Sequence, residues 1–540
     1  MKELINGMYA LSLSGMRLRS IFLSLCLCCS LIPACSQQAM GDKGWGDVGN
    51  GFYQNPVLPT DCSDMDCTKV GDDYYAICST MQFSPGMMVM HSRNLVDWEI
   101  IGHAVRDITQ ITPELDWSKM NRYGRGVWAG AIRYHQGKYY IVFSTADEGI
   151  FMTSADRPSG PWSDLICLRR EAGWDDPCII WDEKGKPWMV ATYYKDHYKT
   201  YLFRLSEDLK SIEPASPLYV QEGNGREASK LLFHEGWYYL FYSEYTPEEG
   251  RYVMVRRSRS MDAPFSEVRR LTRNTPGDQE PNQGGIVQGP DHQWYFFLCH
   301  GKGGWEGRMA SLLPVTWSEG WPRIGDIQED GIGTMVWKGT MPGKSNPYPM
   351  GIQEDFSRNR FSEALEWNYQ PRPSYYSLSV RKGWLRMKAF QPLRAGDFLS
   401  VGNILTTRVF KTQLNEAVTV IDLSGMRNGM HCGLCHFTKE AGKIGVSKRG
   451  GKLYLECLTD NGTKEIPLRP IRKIWLRSTW GKEGRSHFSY SLDGKTFSTI
   501  EDAYQLKRGL DRGDRIGLYC YTDSTEGGYA DFDYLHYQLR

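Results

Sequence analysis

Three acids, Asp64, Asp176 and Glu227, recur at one place in a repeated pattern, each 11 or 12 residues before the second aromatic of a short strand that opens on a turn. The same step lands on Trp128 and Gln283 in the two other copies. Acidic side chains drawn from distant sequence into one cleft repel each other and lose hydration, so such a cluster points to chemistry rather than to folding. One chemistry is metal binding: Asp64, Asp176 and Glu227 with His300 form a ligand set suited to Ca2+. The other is acid/base catalysis, in which two carboxyls flank a bond and differ in pKa. Glycoside hydrolysis makes that demand, and inverting enzymes hold the two carboxyls about 6.5 to 9.5 Å apart to admit a water. Aromatic residues around the cleft, Trp128 among them, would stack on the apolar face of a sugar ring. A sugar-binding or metal-stabilised scaffold without turnover is the competing reading of the same residues. Asp61 and Asp66 beside Asp64, Asp175 beside Asp176, and Glu222 beside Glu227 are neighbouring acids open to the same roles.

The elements that must position these side chains are legible as repeats. Aromatic strands recur as GDDYYAIC, GKYYIVF, GKPWMVAT, GWYYLFYS and HQWYFFLC, with second aromatics at Tyr75, Tyr140, Trp188, Tyr239 and Tyr295, at intervals of 65, 48, 51 and 56 residues. A second series interleaves with the first, around Ser92, Ser154, Ser206 and Ser258, spaced 62, 52 and 52 residues apart. Units of this length, built from short alternating strands without a helical period, are propeller blades, and five of them span roughly residues 50 to 340. In a propeller the innermost strand of each blade lines a central channel. Here that strand directly precedes each aromatic strand, which brings Asp64, Trp128, Asp176, Glu227 and Gln283 to one funnel. A large sandwich with coincidental hairpins is the alternative architecture.

At these residues the chain resembles glycoside hydrolase family 43. The resemblance rests on NPVLP (55–59) through Asp64 to VGDDYY (70–75), GVWAGAIRYHQGKYY (126–140), GPWSD (160–164), DDPCIIWDEKGK (175–186), REASKLLFHEGWYYLFYS (226–243), NQGGIV (282–287) and GRMASLLPVTWSEGWP (307–322). It implies a five-bladed β-propeller acting with inversion on plant glycans containing arabinose or xylose. It also implies roles: Asp64 as general base, Asp176 as the aspartate that tunes and orients the acid, and Glu227 as general acid. Arg308 matches an arginine that reaches hydroxyls of the sugar being cleaved. Trp128 and Gln283 are expected to contact substrate, and no cofactor is required for the chemistry. Two departures bear on which sugar fits. Asp64 is followed by Met65 and Asp66 between Cys62 and Cys67, and Gly130 stands where proline is common.

From about residue 346 the blade period stops, and alternating strands such as GWLRMKA, KLYLECL, DRIGLYCYT and ADFDYLHYQL begin. They read as a β-sandwich. EDF, EWNYQPRPSYYSL, YSLDGKTF and GGYADFDYLHY resemble the lectin-like, concanavalin A-like jelly roll attached to family 43 β-xylosidases and arabinofuranosidases. Asp355 and Asp533 are candidate ligands of a structural Ca2+ there, with ordinary surface acids as the alternative. The expected organisation is a leader over 1–35, a propeller over 36–345 and a sandwich over 346–540, all-β throughout.

The leader is read from Ile21 to Ile32, an apolar run too short to span a bilayer but of signal-peptide length. Pro33 and Ala34 lead into Cys35, an arrangement that resembles a bacterial lipoprotein signal in which Cys35 is lipidated. Met16, before a basic Arg17 and Arg19, is an alternative start to Met1. These features predict an exported, periplasmic or outer-membrane-anchored lipoprotein that meets the membrane only through its anchor. Among the ten cysteines after the leader, Cys62 and Cys67 are the nearest candidates for a pair. Cys432, Cys435 and His436 have haem-attachment spacing, but HCGLCHF alternates like a strand with no helix to present a haem.

Composition agrees with a neutral partner. The 540 residues carry 64 Lys+Arg against 63 Asp+Glu, a net charge of +1, which provides no basic field for nucleic acid. With 41% hydrophobic and 13% aromatic residues, the chain suits a large strand-rich fold and a polysaccharide or oligosaccharide ligand. The leading expectation is an inverting exo-glycosidase, an α-L-arabinofuranosidase or a β-D-xylosidase. The alternatives are a non-catalytic carbohydrate-binding propeller and a galactosidase specificity on the same machinery.

Overall fold

Five antiparallel four-stranded sheets follow one another along the chain. Blade 1 comprises Asp66–Val70, Asp73–Cys78, Gly86–Ser92 and Glu99–Val105, and blade 2 Gly130–His135, Lys138–Thr145, Gly149–Ala155 and Ile166–Arg169. Blades 3, 4 and 5 begin with Trp174–Trp181, Glu227–His234 and Pro281–Gln288. The first strands of the five blades touch in a closed ring, so each is innermost. This computed structural model describes residues 46–214, 218–275, 280–349, 351–510, 512–524 and 527–539. The expected leader and Cys35 lie outside the described residues.

The repeated residues have identifiable tasks. The first aromatic series sits in second strands, where Tyr74, Trp188, Tyr239 and Tyr295 are buried between sheets. The serine series marks the turn after the third strand: Ser92 Oγ accepts from the N–H of Asn94 and Leu95, and Ser206 Oγ from those of Lys210 and Ser211. Hydroxyls that satisfy turn N–H groups in this way fix where these two blades reverse. Across the channel, Arg133 of blade 2 pairs with Asp66 of blade 1 and donates to Leu231 O of blade 4. Lys230 Nζ donates to Gly130 O at 3.0 Å. These bonds tie the innermost strands together below the acids. A three-stranded clasp, Asp47–Gly49, Phe52–Gln54 and Lys338–Thr340, brings the two ends of the propeller together.

The strands after residue 350 form two larger sheets facing each other across an apolar core. One contains Asn415–Asp422, Lys473–Trp480 and Tyr529–Leu539, the other Met430–Phe437, Ala441–Arg449, Lys452–Thr459 and Arg515–Thr522. Cys432, Cys435 and His436 lie on the buried strand Met430–Phe437, as the alternation predicts. The second sheet does not end within the sandwich. Its edge strand Glu366–Asn368 pairs with Phe83–Ser84, a strand supplied by blade 1. One hydrophobic core runs through both parts, from Val57, Trp98 and Phe297 to Trp367, Phe410 and Trp480.

An ion cluster seals this junction. Glu366 is fully buried and contacts Arg408 at 2.6 Å, Arg515 at 2.8 Å and His103 of blade 1 at 3.0 Å. The two arginines hold its carboxyl far below the usual carboxylate range, although burial alone would raise it. The guanidinium groups of Arg512 and Arg515 lie over the Phe83 ring at 3.9 and 4.1 Å.

Candidate active site

A pocket of about 260 Å³ opens at the end of the channel where the innermost strands of blades 3 to 5 begin. Asp64, Trp128, Asp176, Glu227, Gln283 and Arg308 all line it. All five residues reached by the repeat step, and the arginine indicated by the family resemblance, are therefore brought together.

The strands deliver them by departing from regular pairing. In blades 3, 4 and 5 the register breaks between Asp175 and Cys178, between Glu227 and Lys230, and between Pro281 and Gly284. Such bulges bend a strand and re-aim its side chains. Asp176 and Ala228 sit inside two of the bulges with φ of 50° and 64°, and Asp64 has φ 58°. Left-handed non-glycine residues cost about 1 to 3 kcal/mol each and persist where the surroundings over-determine them. For Asp176 the constraint is visible: Oδ2 accepts from the N–H of Ala228 at 2.7 Å and Oδ1 from Gln283 Nε2 at 2.6 Å. Asp176 is thereby clamped between blades 4 and 5, with its two oxygens bonded next to Glu227.

Asp64 also has a partner on each oxygen. Arg308 Nη1 lies 2.8 Å from Oδ1, and Ser79 Oγ donates to Oδ2 at 2.7 Å. The segment after Ser79 forms a wall of the pocket, with Met81 exchanging main-chain hydrogen bonds with Val127. Gly126 permits that approach, because a Cβ there would stand 2.0 Å from Met81 O. Two residues further on is Phe83, in the strand that joins the sandwich sheet, so this wall is anchored in both parts of the molecule.

Glu227 differs electrostatically. Burial pushes its carboxyl up, to about 7; Arg251, whose Nη1 is 2.7 Å from Oε1, opposes the rise, and the charge of Asp176 adds to it. One acid poised near neutrality beside a clamped carboxylate, with a second carboxylate held by an arginine, is an arrangement able to donate a proton on one side of a bond and accept one on the other. Trp128 closes the pocket laterally, its Nε1 donating to Gly124 O at 2.8 Å, with Tyr194 beside it.

The neighbouring acids separate clearly. Asp61 accepts from Ser63 Oγ, Asp66 is bound to Arg133, and Glu222 is exposed near Lys199. Asp175 does line the pocket; burial, then the charge of Asp176, pushes it well above the usual range. Asp175, Arg251, Tyr194 and Tyr198 are among the lining residues that the repeat step misses. Arg251 and the tyrosines lie in or beside hairpins between second and third strands, where the innermost-strand register carries no signal. Gly130 does not form a subsite wall; its neighbour Ala129 does, while Gly130 O binds Lys230.

The residues suggested as metal ligands have protein partners of their own. His300 is buried, its Nε2 lies 2.7 Å from Ser311 Oγ, and burial pushes its pKa down to about 4. Asp355 accepts from the N–H and Oγ of Ser357, and Asp533 faces Lys473 at 4.0 Å. Among the described residues, no group of three or more His, Cys, Asp or Glu is arranged to hold a metal ion. The suggested Cys62 and Cys67 pair is also absent: both thiols are free and buried, and that of Cys62 faces Cys78.

Comparison with known proteins follows the same division of the chain. Residues 53–322 match the family described as glycosyl hydrolases family 43, and residues 353–538 match the beta xylosidase C-terminal concanavalin A-like domain. A beta-xylosidase of Formosa agariphila is 30% identical, with 91% of each chain covered. A putative beta-xylosidase of Xylanibacter ruminicola is 32% identical over 89% of this chain and 88% of its own. Among solved structures, a bifunctional GH43-CE protein of Bacteroides eggerthii superimposes with a TM-score of 0.80 at 29% identity, covering 90% of this chain and 64% of that one.

Proposed function

The chain belongs to glycosyl hydrolases family 43, and from that premise we propose that it releases terminal β-D-xylosyl residues from plant glycans by a single inverting displacement. It is a glycoside hydrolase of xylose- and arabinose-containing glycans, and its chemistry requires no cofactor. The observation that carries the reading is the pairing in one small pocket of Glu227, pushed up to about 7, with Asp64, which is held by Arg308 and Ser79. The pocket holding both acids is small, about 260 Å³, which favours binding of a single terminal sugar ring there.

In the proposed reaction Glu227 gives its proton to the leaving oxygen while Asp64 takes a proton from the water attacking the anomeric carbon on the opposite face. Asp176, clamped by Ala228 and Gln283, lies beside Glu227, and its charge adds to the burial that pushes the acid up to about 7. Arg308 and Trp128 orient the sugar, one through hydroxyls and the other through a ring face. A panel of aryl β-D-xylosides, α-L-arabinofuranosides and β-D-galactosides tests the sugar. The proposal requires xylosides to have the largest kcat/KM, and a preference for either other glycone would refute it. We also propose that residues 1–35 form an export leader with Cys35 lipidated. Replacing Cys35→Ser should then release the exported protein from the membrane fraction, and unchanged membrane association would count against the anchor.

A further inference from the structure

Beyond the pocket lies a larger cavity of about 810 Å³, which shares Tyr198, Arg251 and Arg308 with it and is otherwise lined by groups such as Asn224, Tyr245 and Glu248. Arg251 stands at the boundary. It is the second residue of Gly250–Ser258 in blade 4, opposite Tyr245, and its main-chain N–H is held by the carboxylate of Glu280. Its stem packs where Gly301 leaves room, since a Cβ there would stand 3.2 Å from Arg251 Cδ and 2.6 Å from Glu280 Oε2. From this fixed base the guanidinium reaches Glu227 Oε1 at 2.7 Å and Gly225 O at 3.4 Å. About a fifth of the side chain is exposed, and it lines both the pocket and the outer cavity.

This geometry poses a problem for catalysis that the pocket alone does not solve. An arginine at 2.7 Å binds the ionised form of Glu227, whereas donation to a leaving oxygen needs the protonated form. A guanidinium has five N–H donors in a rigid fork, and sugar hydroxyls in the outer cavity would offer it new acceptors. We propose that Arg251 is a positioning residue shared between Glu227 and the leaving-group sugar: it pairs with Glu227 while the outer cavity is empty and transfers its hydrogen bonds to that sugar when the cavity fills. The proton then taken up by Glu227 comes from solvent and leaves on the glycosidic oxygen, while the attacking water gives its proton to Asp64. The other charged groups facing Glu227 are Asp176, Asp64, Asp175 and Arg308, with Tyr198 above. Among them Arg251 is the largest influence favouring ionisation.

The inference rests on Glu227 being the acid, and its test separates the two ideas. For the glycone that wild type releases, the disaccharide and the 2,4-dinitrophenyl glycoside are compared in wild type, Arg251→Gln and Arg251→Lys across pH 5 to 9, so an error in the sugar assignment leaves the comparison intact. The disaccharide needs both a proton and the outer cavity, whereas dinitrophenolate needs neither. In Arg251→Gln the ratio of kcat/KM for disaccharide over aryl glycoside should fall at least about tenfold. The basic limb of the disaccharide profile should rise by about one pH unit, because a cation opposing the proton has gone. Arg251→Lys keeps the charge but not the fork, so its limb should stay near that of wild type while the ratio still falls. If Arg251→Gln melts within the assay range, the ratio in Arg251→Lys decides. A ratio within about threefold of wild type in the folded variants, or a limb unmoved in a folded Arg251→Gln, overturns the proposal.

Discussion

Replacing Glu227→Gln removes the proposed proton donor while keeping the shape of the side chain, and its consequences for stability and activity have opposite signs. The folded pKa of about 7 lies roughly 2.5 units above the ordinary value of 4.5. Ionising Glu227 therefore costs the folded state about 3 kcal/mol at 1.36 kcal/mol per unit. Below pH 4.5 both states are protonated and the cost is absent. It grows as the unfolded chain ionises first, and it is complete above pH 7. A glutamine does not titrate, so Glu227→Gln should gain about 3 kcal/mol on wild type between pH 4.5 and pH 8. With an unfolding entropy of about 1.1 kcal/mol/K for 540 residues, the melting temperature should shift by about 3 °C in favour of the variant, as read by calorimetry at the two pH values. Activity should move the other way. Hydrolysis of a disaccharide should fall by about 10³ or more, and that of a dinitrophenyl glycoside by much less, because its leaving group needs no proton. Equal losses on the two substrates, or a melting difference independent of pH, would refute the assignment of Glu227.

Four further outcomes are expected. The kcat/KM of wild type on a disaccharide should fall about tenfold per pH unit above about 7, where Glu227 loses its proton; a profile flat to pH 9 would exclude this acid. Glu366→Gln should cost about 3 to 5 kcal/mol by leaving Arg408 and Arg515 buried without their anion, readable as a fall in melting temperature. The carboxyl of Glu366 is depressed, so its contribution is lost as pH falls below 4.5, whereas the pKa of His103 is raised, so its contribution is lost as pH rises through 6.5 and above; the junction should be tightest between those values. Trp128→Ala should lower kcat/KM about tenfold, mainly through KM, by removing the ring that closes the pocket, and an unchanged KM would place Trp128 outside the sugar site.

The legible part of this molecule is what repeats. The five blades follow from aromatic second strands, repeated in every copy, and in blades 1, 3 and 4 from serines that satisfy the turn after the third strand. The constant step of 11 or 12 residues found the funnel residues even though they do not share one rung. Counted from the residue after each bulge, Glu227 occupies the rung of Asp175 and Gln283 that of Pro177. Unequal hairpins, five residues between Trp181 and Pro187 against two between His234 and Trp237, compensate for the offset. What the sequence hid is what occurs once. Arg251 reaches Glu227 from a third strand, Phe83 leaves blade 1 to pair with the sandwich, and Glu366 finds its partners far along the chain. Cys62 and Cys67 misled because closeness in sequence carries no information about facing direction: each is buried in an apolar core as a thiol.

In the proposed reaction Asp64 and Glu227 work on opposite faces of one terminal glycosidic bond in a single displacement. It is tested most directly by proton NMR of the sugar released from 4-nitrophenyl β-D-xyloside, whose only sugar product is the cleaved glycone, recorded before mutarotation. A single inverting displacement gives α-D-xylose as the initial product of the β-linked substrate, with the β anomer appearing only on equilibration. Initial release of β-D-xylose would contradict it.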